Sequence, residues 1–426
     1  MRKQTPYAAL LLLSAALLCG CQKQPSAPAD QPTPTLAPTP SLEPTEALPT
    51  TAPTKKPTPT PTPVPDYLSG ATLLNTYANT FGYVGTCINL SQLQSDLTLK
   101  KVKEQYNSVT LENENKPDTV LGANPSLISV SEAKEKGYLI PENYTEETIP
   151  ELHFKRVDAT LKICAENGLA YRSHTLIWHS QTPAWFFHED YDAKKEVVAP
   201  EVMDARIEYF VRNSIHHIYT GEYGDIVYAW DVLNEYVHAT NSGYEKVYGN
   251  TGTTPAFVKL AFQVADDELK KLGCRDKVSL FYNDFNCYID SARILAVANF
   301  INSEEKLCDG IGMQSHLKTD YPGIALYKAT MKKFLDAGFE VQVTELDVGC
   351  SNFTTQGKYY YDLMKAILEL KKEGGNITSL TYWGISDVNS WRSSDKPLLF
   401  GYGNKPKDAY YQVLQAYLDA GYEISK

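Results

Sequence analysis

The 426-residue chain has no excess of positive charge, no paired-cysteine motif and no apolar run long enough to span a bilayer comfortably. Each absence removes a class of function. A net charge of −11 at pH 7 argues against nucleic acid, because phosphate backbones are bound by clustered Lys and Arg that displace counterions. Outside the first residues the cysteines are Cys87, Cys164, Cys274, Cys287, Cys308 and Cys350, scattered without a CxxC pair. That spacing supports neither a zinc site nor a dense disulfide framework. They read as buried apolar fillers, with their pairing open and one or two bridges admissible after export. HExxH is missing, so no catalytic metal and no cofactor is expected. GxSxG is missing too, which removes the strand–turn–helix elbow of a serine esterase.

What is present begins at the N-terminus. Arg2 and Lys3 precede an apolar run from Ala8 to Leu18 that only Ser14 interrupts. It is shorter than a membrane span and has the form of a signal peptide. The run closes on Leu18-Cys19-Gly20-Cys21, which resembles a bacterial lipobox, with an aliphatic residue three places before a cysteine and a small one just before it. Cys19 is less usual at the middle position than Ala or Ser, and an ordinary signal peptide cut nearby is the alternative. Residues 1–21 are thus expected to be removed up to a lipidated Cys21. The protein is expected to be secreted and anchored at the bacterial cell surface by that lipid alone. Residues 22–66 form the next segment. Fourteen of the 25 prolines lie between Pro25 and Pro65, interleaved with Thr, Ala and Ser. No helix or sheet tolerates that density, and too little apolar surface is present to pack. Extended polyproline II at about 3.1 Å per residue would give a spacer reaching on the order of 100 Å.

From residue 67 to 426 the pattern alternates regularly between two periods. Helical spacing appears in Phe154, Val157, Leu161 and Cys164, in Met203, Ile207, Phe210, Val211 and Ile218, and in Leu363, Ala366, Ile367 and Leu370. Tyr410, Val413, Leu414 and Tyr417 give a closing helix. Several helices stop at a glycine suited to the left-handed cap: Gly168, Gly273, Gly338 and Gly374. Strand-like runs fall near residues 81–89, 107–111, 169–177, 225–233, 277–282, 310–315, 339–344 and 377–383. Eight strands alternating with helices predict an α/β fold, a single (β/α)8 TIM barrel; an open doubly wound sheet is the other architecture that fits.

The ends of those runs decide between the two. In barrels the chemistry sits at the C-terminal rim of the strands. Here the runs end in Glu112 and Asn113; His174 and Trp178; Asn234 and Glu235; Asn283 and Asp284; Gln314 and His316; Glu345; and Trp383. Polar or aromatic residues at one end of seven strands converge on one cleft. Two glutamates close apolar strands in Trp230-Asp231-Val232-Leu233-Asn234-Glu235 and Val341-Gln342-Val343-Thr344-Glu345. Glycosidic cleavage requires such a pair: one carboxyl group protonates the leaving oxygen, the other attacks or activates water.

The same segments carry a resemblance. Asn107-Ser108-Val109-Thr110-Leu111-Glu112-Asn113-Glu114, Arg172-Ser173-His174-Thr175-Leu176-Ile177-Trp178-His179, Trp230–Glu235, Tyr282-Asn283-Asp284, Gly310-Ile311-Gly312-Met313-Gln314-Ser315-His316, Val343–Asp347, and Trp383-Gly384-Ile385-Ser386-Asp387 through Trp391-Arg392 follow one another in order. Through almost all of residues 70–424 the chain resembles the family-10 glycoside hydrolases, which are mainly endo-β-1,4-xylanases. The resemblance implies a retaining enzyme with Glu235 as general acid/base and Glu345 as nucleophile, their carboxyl groups about 5–5.5 Å apart. It further implies that Asn234 bonds the sugar 2-hydroxyl, that His316 orients Glu345, and that Asp347 orients His316. Substrate binding would fall to Glu112, Asn113, Lys116, His174, Trp178, Gln181, Asn283, Gln314, Trp383 and Trp391, polar groups fixing hydroxyls and aromatic faces covering pyranose rings. Xylan or xylooligosaccharide is the implied partner, bound by a monomeric domain.

Trp230 reads as core, and the pair His216-His217, on a helix without partnering carboxylates, reads as structural. The chain departs from the family at Ser173, where glycine is usual, and at Pro117, where tryptophan is common; residues 138–150 look like a variable loop. These departures bear on distal sugar subsites. A β-1,4-glucanase on the same scaffold and a non-catalytic glycan-binding lipoprotein remain open at this point.

Overall fold

The computed structural model describes residues 66–425; the leader, Cys21 and the proline-rich segment up to Pro65 lie outside the described residues. Each strand-like run becomes a strand: β1 (Tyr83–Ile88), β2 (Ser108–Leu111), β3 (Ala170–Trp178), β4 (Val227–Asn234), β5 (Ser279–Asp284), β6 (Gly310–Met313), β7 (Glu340–Gly349) and β8 (Ile377–Tyr382). Neighbours pair in parallel, and β8 bonds both β7 and β1, so the sheet closes. Closure excludes the open doubly wound sheet. Eight long helices follow the strands in turn: α1 (Asp96–Gln105), α2 (Lys155–Glu166), α3 (Pro200–Thr220), α4 (Ala256–Lys271), α5 (Cys287–Ile301), α6 (Ile324–Asp336), α7 (Phe353–Lys372) and α8 (Asp408–Asp419).

The helices form where the apolar spacing places them. Val157, Leu161 and Cys164 make the buried stripe of α2, while Leu363, Ala366, Ile367 and Leu370 do the same for α7. Gly168, Gly273, Gly338 and Gly374 follow α2, α4, α6 and α7 at φ 68°, 69°, 85° and 92°, a conformation in which a side chain would be strained. None of the described helices is long and apolar enough to cross a membrane.

The barrel interior is a column of polar tiers, ordered by position along the parallel strands. Lowest is Tyr228, which meets Ser108 and Ser379 and stacks on Tyr83 at 3.6 Å. Above it Arg172 grips Asp231 with two bonds of 2.5 and 2.6 Å and reaches Gln342 at 2.7 Å. Next come Asn283 and Thr344, joined at 2.6 Å. Space for Asn283 exists because Gly312 has no side chain: a Cβ there would stand 2.3 Å from Asn283 Oδ1. Strand register shifts between Asp231 and Leu233 and between Val343 and Leu346, irregularities of the kind that re-aim side chains at a barrel rim.

Two expectations change, concerning the paired histidines and the stretch 138–150, while the cysteines stand as expected without the bridges that were admissible. His216 and His217 do have carboxylate partners, supplied across helix packing: Glu268 of α4 and Asp158 of α2, each at 2.8 Å. The sequence pattern could not show them because both partners come from other helices. All six described cysteines are free thiols, with Cys274 and Cys350 half-buried and the other four buried. The stretch 138–150 ends in a short strand, Thr148–Pro150, antiparallel to Leu127–Ser129, and Glu146 there pairs with the buried Arg206. Trp230 is fully buried, as core.

Candidate active site

The upper tier opens into a cleft of about 850 Å³ at the C-terminal mouth of the barrel. Glu235 and Glu345 both line it, with Glu112, Asn113, Lys116, His174, Trp178, Gln181, Asn234, Gln314, His316, Trp383 and Trp391. Two expected residues do not. Asp347 lies behind His316, and Asn283 is fully buried beneath the floor. Asn283 was expected to touch substrate; instead its amide donates to Asn234 Oδ1 at 2.9 Å and to Glu345 Oε1 at 2.8 Å. Its inward direction follows from strand alternation combined with the gap at Gly312.

Glu235 follows the last residue of β4 in the left-handed conformation, φ 59°, which costs a non-glycine residue about 1–3 kcal/mol. Its N–H bonds Asn283 O at 2.9 Å, pinning the turn. The carboxyl group receives Trp178 Nε1–H at 2.9 Å and Gln314 Nε2–H at 2.9 Å. Both donors are neutral.

Glu345 sits within β7 and meets cations instead. His316 Nε2 lies 3.2 Å from Oε2, and His316 Nδ1 lies 2.9 Å from Asp347 Oδ2. Burial alone would lower the His316 pKa, but Asp347 and Glu345 outweigh it and push it up to about 10. The ring is therefore an imidazolium at neutral pH and donates to both carboxylates. Burial would raise the Glu345 carboxyl; the bond from His316 and the positive charge of His174, His316 and Lys116 outweigh burial and hold it at about 2. Asp347 is itself secured by Arg392 and by Trp391 Nε1–H at 3.1 Å.

Around this pair the polar groups are pre-oriented. Asn234 Oδ1 accepts from Asn283 and, at 3.2 Å, from Gln314, leaving its NH2 as the group free to donate. His174 Nδ1 faces Asp231 at 2.8 Å; Arg172 fills both oxygens of that carboxylate, so Nδ1 carries the hydrogen. Lys116 Nζ bonds Gln181 at 3.1 Å and Asn113 at 3.3 Å and stands 4.8 Å from the Trp178 ring centroid, a cation–π contact. Burial and Glu114 raise the Glu112 carboxyl against the pull of Lys116. Trp383 is buried edge-on against His174, whereas Trp391 is 59% exposed beside His316. Ser173 accepts from Asn115 Nδ2 at 2.6 Å, and Pro117 opens a one-turn helix after Lys116.

The cleft also contains Phe285, Asn286, Lys318, Arg392 and Asp395, which no motif in the sequence marks as substrate-binding. Arg172 and Asp231 were equally unassigned, although opposite charges inside adjacent apolar strands signal a buried ion pair. A smaller cavity of about 310 Å³ lies across Trp178 and Asn234, lined by His179, Tyr236, Phe257 and a single carboxylate, Glu245. It lacks the pair. No cluster of three or more His, Cys, Asp or Glu suited to a metal occurs among the described residues.

A parallel (β/α)8 barrel with two glutamates at its C-terminal mouth, one among neutral donors and one among cations, has the architecture of a glycoside hydrolase. Residues 72–416 match the model of "Glycosyl hydrolase family 10", and the chain belongs to that family. It is 44% identical over 348 residues to "Endo-1,4-beta-xylanase A" of Butyrivibrio fibrisolvens, across 82% of this chain and 85% of that one. Its structure resembles the CBM22-1–GH10 modules of a Clostridium thermocellum endo-1,4-β-D-xylanase in complex with xylohexaose. That match has a TM-score of 0.69 and 29% identity, and covers 83% of this chain and 69% of that one. The endo-1,4-β-xylanase of Caldicellulosiruptor owensensis is similar at TM-score 0.64 and 25% identity, over 80% and 99% of the two chains.

Proposed function

We propose that this chain is a retaining endo-β-1,4-xylanase in which Glu345 is the nucleophile and Glu235 the acid/base. The observation that carries the assignment is the contrast in surroundings. Glu345 is held ionised by an imidazolium and two further basic groups, as an attacking carboxylate requires. Glu235 is held by neutral N–H donors alone, with no cation bonded to it, and it is oriented by Trp178 and Gln314. Glu345 attacks C1 while the Glu235 proton passes to the leaving oxygen, giving a glycosyl ester and a free sugar end. The ester removes the charge of Glu345, and Glu235, now a carboxylate, takes a proton from water as that water attacks C1; the ester C1–O bond breaks, which releases the sugar and returns Glu345 as a carboxylate. Asn234 Nδ2 donates to the 2-hydroxyl, a bond that strengthens as oxocarbenium charge develops.

Xylan is the substrate that the family and the Butyrivibrio relative support. Xylose has no hydroxymethyl group, so a xylanase can narrow its pocket where a glucanase cannot. Initial rates on xylan and carboxymethylcellulose test this: xylan is expected to be cleaved faster, and faster cleavage of the cellulose derivative would reassign the substrate to a glucan. A non-catalytic glycan binder would need neither glutamate.

The lipid anchor belongs to the same proposal and rests on Leu18-Cys19-Gly20-Cys21 and the proline-rich spacer behind it. The catalytic domain then works as a monomer tethered at the cell surface. Cys21→Ala is expected to move the enzyme from the membrane fraction to the medium; retention at the membrane would remove the anchor.

A further inference from the structure

The loop after Glu235 is tied to the loop after β5 through one side chain. His238 Nδ1 lies 2.7 Å from Asp284 Oδ1, and Nε2 lies 3.2 Å from Asp290 Oδ2. The ring also stacks on Phe285, with centroids 4.1 Å apart. Asp284 accepts in addition from the Tyr282 hydroxyl at 2.6 Å and the Phe285 N–H at 2.9 Å. The Tyr282 hydroxyl in turn accepts the Val237 N–H at 3.1 Å. The circuit is closed, running from residues 237–238 to residues 282–290 and back.

Its charge state follows from its partners. Burial raises the Asp284 carboxyl, yet three donors and no acceptor face it, so it is a carboxylate. Burial lowers His238, but bonds to Asp284 and Asp290 and their charges outweigh it and raise the ring. Each ring nitrogen faces a carboxylate oxygen, which can only accept, so both donate, as charge-assisted bonds of the stronger kind.

The circuit fixes where Phe285 and Asn286 stand, and both line the cleft. Asn286 is held at φ 46°, its Oδ1 accepting the Tyr288 hydroxyl at 2.7 Å. The β2–β3 side of the cleft carries Glu112, Asn113, Lys116, His174 and Gln181. That density of hydroxyl-binding groups suits the sugar that becomes oxocarbenium-like. The β5 wall, with one ring and one amide, faces the half that departs.

We propose that His238 is a positioning residue for the leaving-group half of the cleft, clamping the Phe285–Asn286 wall to the loop that carries Glu235. The inference rests on the roles given above to Glu235 and Glu345. His238 does not line the cleft; it acts through Phe285 and Asn286, setting how tightly the released sugars are held before cleavage.

The test uses the full chain with xylohexaose, which fills both halves, and an aryl β-xylobioside, which offers no sugar to the leaving-group half. For His238→Ala, KM on xylohexaose is expected to rise about tenfold with kcat nearly unchanged, while both constants on the aryl glycoside stay within about twofold. His238→Asn, which keeps one N–H toward Asp284, is expected to recover part of the loss, and Asp290→Ala to show a smaller loss of the same kind. Equal losses on both substrates, or no loss on xylohexaose, would overturn the proposal. If His238→Ala does not fold, the other two variants decide by the same contrast. A wild-type protein that cleaves neither substrate would instead refute the glycosidase reading itself.

Discussion

Replacing His316 with glutamine probes the electrostatics of the pair most sharply. The amide can still donate toward Glu345, but the positive charge 3.2 Å from Oε2 is lost. Burial, which favours the neutral acid, then meets less opposition. An opposite charge at that range lowers a carboxyl by about 1–3 pH units, so the Glu345 pKa is expected to rise from about 2 by about that amount. The readout is kcat/KM on an aryl β-xylobioside from pH 3 to 8. The acid limb, which lies below this range in the wild type, is expected to enter it in the variant, about 2 pH units higher, with much less change near pH 7. Stability should follow the same sign. A carboxyl lowered from 4.5 to about 2 stabilises the fold above pH 4.5, worth about 3 kcal/mol, and loses that contribution as pH falls through 2. His316, raised from 6.5 to about 10, contributes fully below pH 6.5 and loses its share as pH rises through 10. Both shifts describe one ion pair and count once. Wild type and variant should therefore differ most in denaturant midpoint between pH 4.5 and 6.5. An acid limb that stays in place would refute the claim that His316 holds Glu345 ionised.

Asn234→Ala should lower kcat by about a hundredfold on xylooligosaccharides and far less on 2-deoxy glycosides, because only the former present a 2-hydroxyl. Equal losses on both would take that contact away from Asn234. Gly312→Ala places a Cβ 2.3 Å from Asn283 Oδ1; displacing the amide that supports Glu345 and Asn234 should cost about tenfold to a hundredfold in kcat while circular dichroism stays native. Arg172→Met leaves the fully buried Asp231 without its two strong donors. Unfolding in denaturant should show a loss of about 3–5 kcal/mol.

The barrel was legible because its repeat is local. Eight apolar runs and the glycines that stop the helices appear in sequence order, and all eight runs became strands. The two glutamates were legible for the same reason, each ending an apolar run: Glu235 directly follows β4, whereas β7 continues past Glu345 to Gly349. What the sequence hid depends on contacts between distant segments. Asn283 looks like a rim residue, but the missing side chain at Gly312, about thirty residues away, lets it turn inward under Glu345. His238 carries no motif, and its partners Asp284 and Asp290 lie on the next strand and helix. His216 and His217 gained carboxylates only when α3 packed on α4 and α2. Periodicity reports which face of an element is buried; it does not report which polar group will stand opposite.

Trapping the glycosyl-enzyme tests the central claim most directly. A 2-deoxy-2-fluoro-β-xylobioside with an activated leaving group slows both steps, and the leaving group keeps the first one faster, so the ester should accumulate. Mass spectrometry of the intact chain and of its proteolytic peptides then locates the sugar. One fluoroxylobiosyl unit is expected per chain, on the peptide containing Glu345, and none in Glu345→Ala. A label on any other residue, or no label on an enzyme that hydrolyses xylan, would contradict the assignment of Glu345 as nucleophile.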